Sequence, residues 1–83
     1  MKRADIWDAV IDERRAQLAK WGGVHPWGSG DCSSLTLPPE VKVMVLTEEV
    51  GEVARAALER DPDALRIELV QVAAVAVAWL ESL

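Results

Sequence analysis

Apolar positions recur at helical spacing over three stretches of the chain, separated by one long and one short break. In the first, Trp7, Val10, Ile11, Leu18 and Trp21 share a stripe, which predicts a helix from about Ile6 to Trp21, N-capped by Asp5 and ended by Gly22. Asp12, Glu13, Arg14, Arg15 and Lys20 fill much of the remainder and read as a solvated face. The second stretch starts near Pro38-Pro39-Glu40, where proline suits a first turn, and runs to about Glu59. The third starts around Asp61-Pro62-Asp63, either aspartate being able to cap it, and continues to the C-terminus. No strand pattern or internal repeat is evident. The expectation is one all-α domain over residues 1–83, a helical hairpin plus a leading helix, assembling with other protomers into a helix bundle.

The apolar pattern of the second helix is interrupted by Glu48, Glu49 and Glu52. At about 100° per residue, with Val50 as reference, Val43, Leu46, Val53, Ala54 and Ala57 form an apolar stripe. The three carboxylates fall on the other side, with Val45 and Ala56 among them. A helix with one buried face is polar along the rest, so a second face that mixes acid and apolar residues predicts that this side, too, is covered or lines a cleft. The third helix is apolar from Leu69 to Leu80 except at Gln71, and Glu68 stands one turn before it. Packed antiparallel, the two helices bring Glu49 and Glu52 opposite Glu68 and Gln71.

Between the first two helices lies Gly22 to Leu37, too rich in glycine, serine and proline for regular structure and long enough to suggest a function. Trp21, His25 and Trp27 lie close together in it, and flat rings of this kind either stack on a planar heterocycle or pin the segment to the helices. For His25 the alternatives are a base-reading role and hydrogen bonding to the local backbone. Lys42, two turns before the acidic cluster, reads as a phosphate contact or as a solvated charge. Gly51 inside the second helix costs up to about 1 kcal/mol against alanine, which suits close approach of another helix or a ligand.

Length and composition narrow the partners. Eighty-three residues bury a modest share of their surface, so an oligomer is expected, a homodimer or homotetramer. The net charge of −5, with no basic stripe, argues against polymeric nucleic acid. A single cysteine, Cys32, allows neither an intrachain disulfide nor a cysteine zinc site and fits a reducing, cytoplasmic setting. The start of the chain is charged and amphipathic rather than a signal core, and the last apolar run is shorter than the roughly 20 residues of a bilayer span, so no membrane partner is expected.

Several carboxylates at one-turn spacing, without cysteine or histidine on the same helices, make a hard oxygen site suited to Mg²⁺ or Mn²⁺. Mg²⁺ is commonly completed by substrate phosphates, so a nucleotide di- or triphosphate is the natural ligand of such a site. Glu48-Glu49-Val50-Gly51-Glu52 followed by Glu68-Leu69-Val70-Gln71 resembles the E-E-x-x-E … E-x-x-D signature of the MazG-like all-α nucleoside triphosphate pyrophosphohydrolases. The resemblance covers nearly the whole chain. It implies an oligomeric helix bundle in which water cleaves a (d)NTP at the α–β phosphoanhydride to give the monophosphate and pyrophosphate. Residue by residue, it implies Glu49, Glu52 and Glu68 as metal ligands and Glu48 as the carboxylate that orients or deprotonates water or holds a further metal. Gln71 stands where the motif has aspartate; its amide oxygen can coordinate but cannot act as a base. Trp21, His25, Trp27 and Lys42 are the candidate substrate contacts. The alternative is a catalytically weak or inactive helical module that binds a nucleotide or a protein.

Overall fold

The computed structural model describes residues 1–83, arranged as three long helices and one small hairpin: α1 (Arg3–Trp21), β1 (Val24–His25), β2 (Gly28–Ser29), α2 (Pro39–Leu58) and α3 (Pro62–Glu81). The fold is all-α, a helical hairpin packed on a leading helix. α2 and α3 form the main contact, and α1 packs against α3. No helix is long and apolar enough to cross a membrane.

The helix boundaries follow local chemistry. Pro39 and Pro62 occupy first-turn positions, and the Asp61 carboxylate accepts from the Ala64 N–H at 3.1 Å, capping α3. The α2–α3 turn is tight enough to place Arg60 at φ 53°. α1 differs from expectation at its start. It begins at Arg3 rather than near Ile6, because the Ile6 N–H bonds to the Lys2 carbonyl at 3.0 Å, so Asp5 lies inside the first turn and is not the N-cap. The glycine-rich segment is not wholly irregular either. Val24 pairs with Ser29 and His25 with Gly28 in an antiparallel hairpin, too short for any alternation to reveal. Gly28 (φ 145°) and Gly30 (φ 86°) adopt backbone conformations that a side chain would strain, and the Gly30 N–H closes the loop onto the Gly23 carbonyl at 2.9 Å.

The core lies where this segment covers the hairpin near the start of α2 and the end of α3. Cys32 and Leu37 pack there with Val75 and Ala78, flanked by Val41, Val45 and Leu46. Cys32 is thus a buried core thiol, raised above its ordinary pKa by burial and by the nearby Asp31 charge. The segment is fastened by Arg14, which donates to Asp31 at 2.7 Å and to Glu81 at 3.1 Å, tying α1, the loop and α3 together.

The orientation of α2 is the main surprise. The side it turns toward the other elements carries Lys42, Val45, Glu49 and Ala56, whereas Val43 (49% exposed) and Val50 (51%) of the purely apolar stripe face outward. Of the carboxylates on the acidic face only Glu49 is half-covered; Glu48 and Glu52 stay exposed, so this side lines an open cleft rather than a buried contact. Of the apolar stripe, Leu46 and Val53 are half-buried, and it is Val43 and Val50 that are left bare.

Candidate metal centre

α2 and α3 run antiparallel, and one turn on each delivers the acidic residues to a common point. Glu49 and Glu52 are three residues apart on α2, and Glu68 reaches across from α3. One carboxylate oxygen from each of the three lies within 4.8 Å of the others. Glu49 and Glu68 are half-buried and Glu52 is exposed, so the centre opens to solvent on one side.

The electrostatics are unfavourable for an apo site. Two full charges 4.8 Å apart repel by about 1 kcal/mol in water and about 3.5 kcal/mol at an effective dielectric of 20. No lysine or arginine relieves this, since the four ion pairs of the chain are Arg14–Asp31, Arg14–Glu81, Arg15–Asp12 and Arg66–Asp63. The Glu49 carboxyl is accordingly pushed up to about 7, first by burial and then by the charges of Glu52, Glu68, Glu48 and Glu13. Glu68 is raised by burial, by a hydrogen bond shared with Glu52, and by the charges of Glu52 and Glu13. Glu48 is exposed at the edge, close enough for its charge to act on Glu49.

Glu13 is the residue that pattern reading missed. Its place in the sequence pattern is on the solvated face of the first helix. It is half-buried and near enough for its charge to act on Glu49 and Glu68, and it lies on the wall of a groove of about 630 Å³ between Ala9 and Ala16 of α1 and Ile67 and Val70 of α3. Only the packing of α1 across α3 brings it there, and nothing in the local sequence encodes that.

The Gln71 amide faces Glu49 and Glu68, and with both carboxylates ionised and no cation present its nitrogen is the better-matched end. An oxygen directed at the carboxylates would meet only acceptors, whereas the nitrogen donates to Glu49 Oε2 at 3.0 Å and to Glu68 Oε2 at 2.7 Å. Gln71 thus lies beside Glu49 and Glu68, within hydrogen-bonding distance of both.

The predicted substrate contacts fare differently. Lys42 is not available to a phosphate: it is 3% exposed, and its Nζ donates to the Ser34 carbonyl at 2.9 Å and to Ser82 Oγ at 2.8 Å, near the end of α3. There it supplies the positive charge that the last turn of α3 lacks. His25 does not read a base, because both ring nitrogens serve the backbone. Nε2 donates to the Gly30 carbonyl at 2.8 Å and Nδ1 accepts from the Trp27 N–H at 3.3 Å, so both ring nitrogens are engaged. Trp21, His25 and Trp27 form a cluster with ring centroids 5.7 to 6.1 Å apart, and Lys20 lies over Trp21 at 5.2 Å. Trp27 is 56% exposed, so the cluster pins the loop and still leaves an open ring face. Trp21 lies about 12 Å further along the α1 axis than Glu13, at 1.5 Å per residue.

The donor set suits a hard divalent cation. It consists only of carboxylate oxygens, and their 4.8 Å spread is close to the ~4.2 Å that separates opposite ligands of Mg²⁺. Compared with protein-family models, with curated proteins and with solved structures, the chain matches none.

Proposed function

We propose that the protein is a Mg²⁺-dependent nucleoside triphosphate pyrophosphohydrolase, the activity that the likeness of its acidic motif to the MazG-like enzymes implies. The observation that carries this reading is the convergence of Glu49, Glu52 and Glu68 from two helices without any basic partner from the chain. Such a cluster resists closing unless a cation joins it, and no lysine or arginine at the centre stands ready to meet phosphate charge directly.

In this reading Glu49, Glu52 and Glu68 hold the cation. A Mg²⁺ (or Mn²⁺) held there would neutralise phosphate oxygens and make water more acidic. Glu48, exposed at the edge, accepts the proton of the attacking water. Water adds to phosphorus as the α–β phosphoanhydride breaks, and the bridging oxygen leaves with pyrophosphate, so NTP and water give NMP and pyrophosphate. Trp27 offers its open face to the base, with Trp21 buttressing it edge-on. His25 holds the loop in shape. The exposed part of the α2 stripe, Val43 and Val50, is the surface on which a second protomer completes the bundle.

The second reading, a nucleotide- or protein-binding module without turnover, draws on Gln71, whose neutral amide replaces an acid of the motif. Incubating the protein with the common ribo- and deoxyribonucleoside triphosphates in Mg²⁺ or Mn²⁺ and measuring pyrophosphate separates the two. Release from at least one nucleotide supports the hydrolase. Nucleotide binding with no pyrophosphate from any of them supports the module.

A further inference from the structure

α1 carries an apolar stripe that its own packing leaves open. Trp7, Ile11, Leu18 and Trp21 are 57%, 49%, 54% and 38% exposed, because the side of α1 that the rest of the chain covers is the adjoining one, with Val10, Glu13 and Gln17. Together with Arg14 the stripe advances in alternate steps of four and three residues, the spacing of a coiled-coil seam. Arg14 contributes only its stem there, since its guanidinium is held by Asp31 and Glu81. Beside the seam lies a groove of about 320 Å³, walled by Ile11 and Leu18 of α1 and by Val77 and Glu81 of α3.

The flanks of the seam say what fits it. At about 100° per residue, Asp8 and Arg15 share one flank and Val10 and Gln17 the other. Asp8 and Arg15 are exposed, and Arg15 is held only by a loose surface pair with Asp12 at 3.6 Å. A second α1 laid parallel would set the charged flank against Val10 and Gln17, which carry no charge. Laid antiparallel, with Trp7 level with Leu18 of the second copy, it brings Asp8 within two positions of the copy's Arg15, about 3 Å along the axis and well within the reach of an arginine. Twofold symmetry makes the same pair a second time. We propose that the α1 stripe docks a second copy of this chain, α1 against α1 in antiparallel, with Trp7 and Leu18 as the apolar contact and the doubled Asp8–Arg15 pair setting the direction. The contact is separate from the α2 surface around Val43 and Val50 and does not depend on the chemistry of the acidic centre.

Sedimentation equilibrium of the whole chain over a concentration series tests this with Asp8→Arg and Arg15→Glu, singly, mixed in equal amounts, and combined in one chain. Both positions are exposed, and circular-dichroism melts check that the variants fold. Each single variant should self-associate about 3- to 30-fold more weakly than wild type, since two ion pairs are lost and like charges meet. The equimolar mixture and the double variant should both recover wild-type association, because each restores an acid opposite a base at both ends of the antiparallel contact. Wild-type association in both single variants would overturn the proposal, as would a monomeric wild type. A weakening that neither the mixture nor the double variant reverses would show that the stripe meets something other than an antiparallel second copy, and overturns it too. A mass that falls with Val50→Glu and with neither charge variant would leave assembly to α2 alone.

Discussion

Arg14 of α1 and Asp31 of the connecting segment form the most enclosed ion pair of the chain, Nη1 standing 2.7 Å from Oδ2 with only 11% and 4% of the two side chains exposed. Burial alone would raise the Asp31 pKa, but hydrogen bonds from Ser33 and Arg14, with the charge of Arg14, outweigh it and hold the carboxyl below its ordinary value. A depressed folded-state pKa contributes stability that is present above the unfolded value, near 4, and is lost as pH falls through the folded one. Asp31→Ala, which leaves the guanidinium without its buried partner, should cost about 3–5 kcal/mol, more than about 10 °C in Tm for a domain of this size. Glu81→Gln, at an exposed partner of the same arginine, should cost less than about 1 kcal/mol. Thermal melts between pH 2 and 6 check both the size and the window.

Glu49 behaves in the opposite sense. Its pKa of about 7 lies above the ordinary carboxylate value, so between roughly pH 4.5 and 7 the folded protein holds a proton that the unfolded chain has released. Without metal, stability should fall as pH rises through that window and level off above it. Mg²⁺ should reverse the slope, release protons on binding near pH 6, and bind more tightly toward pH 7 and above. Glu49→Gln should flatten the pH dependence and stabilise the metal-free protein at pH 8. Melts at pH 5, 6 and 8, with and without Mg²⁺, read this directly.

The helices, their hairpin and the meeting of Glu49, Glu52 and Glu68 were legible in the sequence because all depend on spacing within a helix and on one short turn. What was not legible depends on contacts between distant elements. The buried side of α2 could not be chosen from its own pattern, since Val45, Ala56, Leu46 and Val53 are compatible with either face; the loop, through Cys32 and Leu37, settled it. Glu13 and Lys42 were misread for the same reason, one brought to the acid cluster by the crossing of α1 and the other drawn away by Ser34 and Ser82. The small hairpin rests on two glycines with positive φ, a signal too local for periodicity.

Lys42 should therefore matter to stability and not to ligands. Lys42→Met keeps the stem and removes the ammonium, leaving the Ser34 carbonyl and the Ser82 hydroxyl short of a donor, at a cost of about 1–3 kcal/mol. Mg²⁺ affinity and nucleotide binding should stay within about twofold of wild type. A large loss of nucleotide affinity in a variant that still melts normally would restore Lys42 as a phosphate contact.

Val43 and Val50 are about half exposed on the outer stripe of α2, and leucine- or valine-sized side chains each contribute roughly 1.5–3 kcal/mol when fully buried. Sedimentation equilibrium should give a mass above the 9.1 kDa of one chain, and Val50→Glu should shift it toward the monomer with loss of stability. A stable wild-type monomer at micromolar concentration would contradict the assembly.

Calorimetric titration with Mg²⁺, in the presence of a nucleoside triphosphate whose α–β bridge cannot be cleaved, is the most direct measurement on the acidic centre. The wild type should take up one ion per protomer. Glu49→Gln, Glu52→Gln and Glu68→Gln should each fold and bind it at least about tenfold more weakly, since each removes one charged ligand with little change in shape. Unchanged Mg²⁺ affinity in all three variants would show that the three glutamates do not form a metal centre.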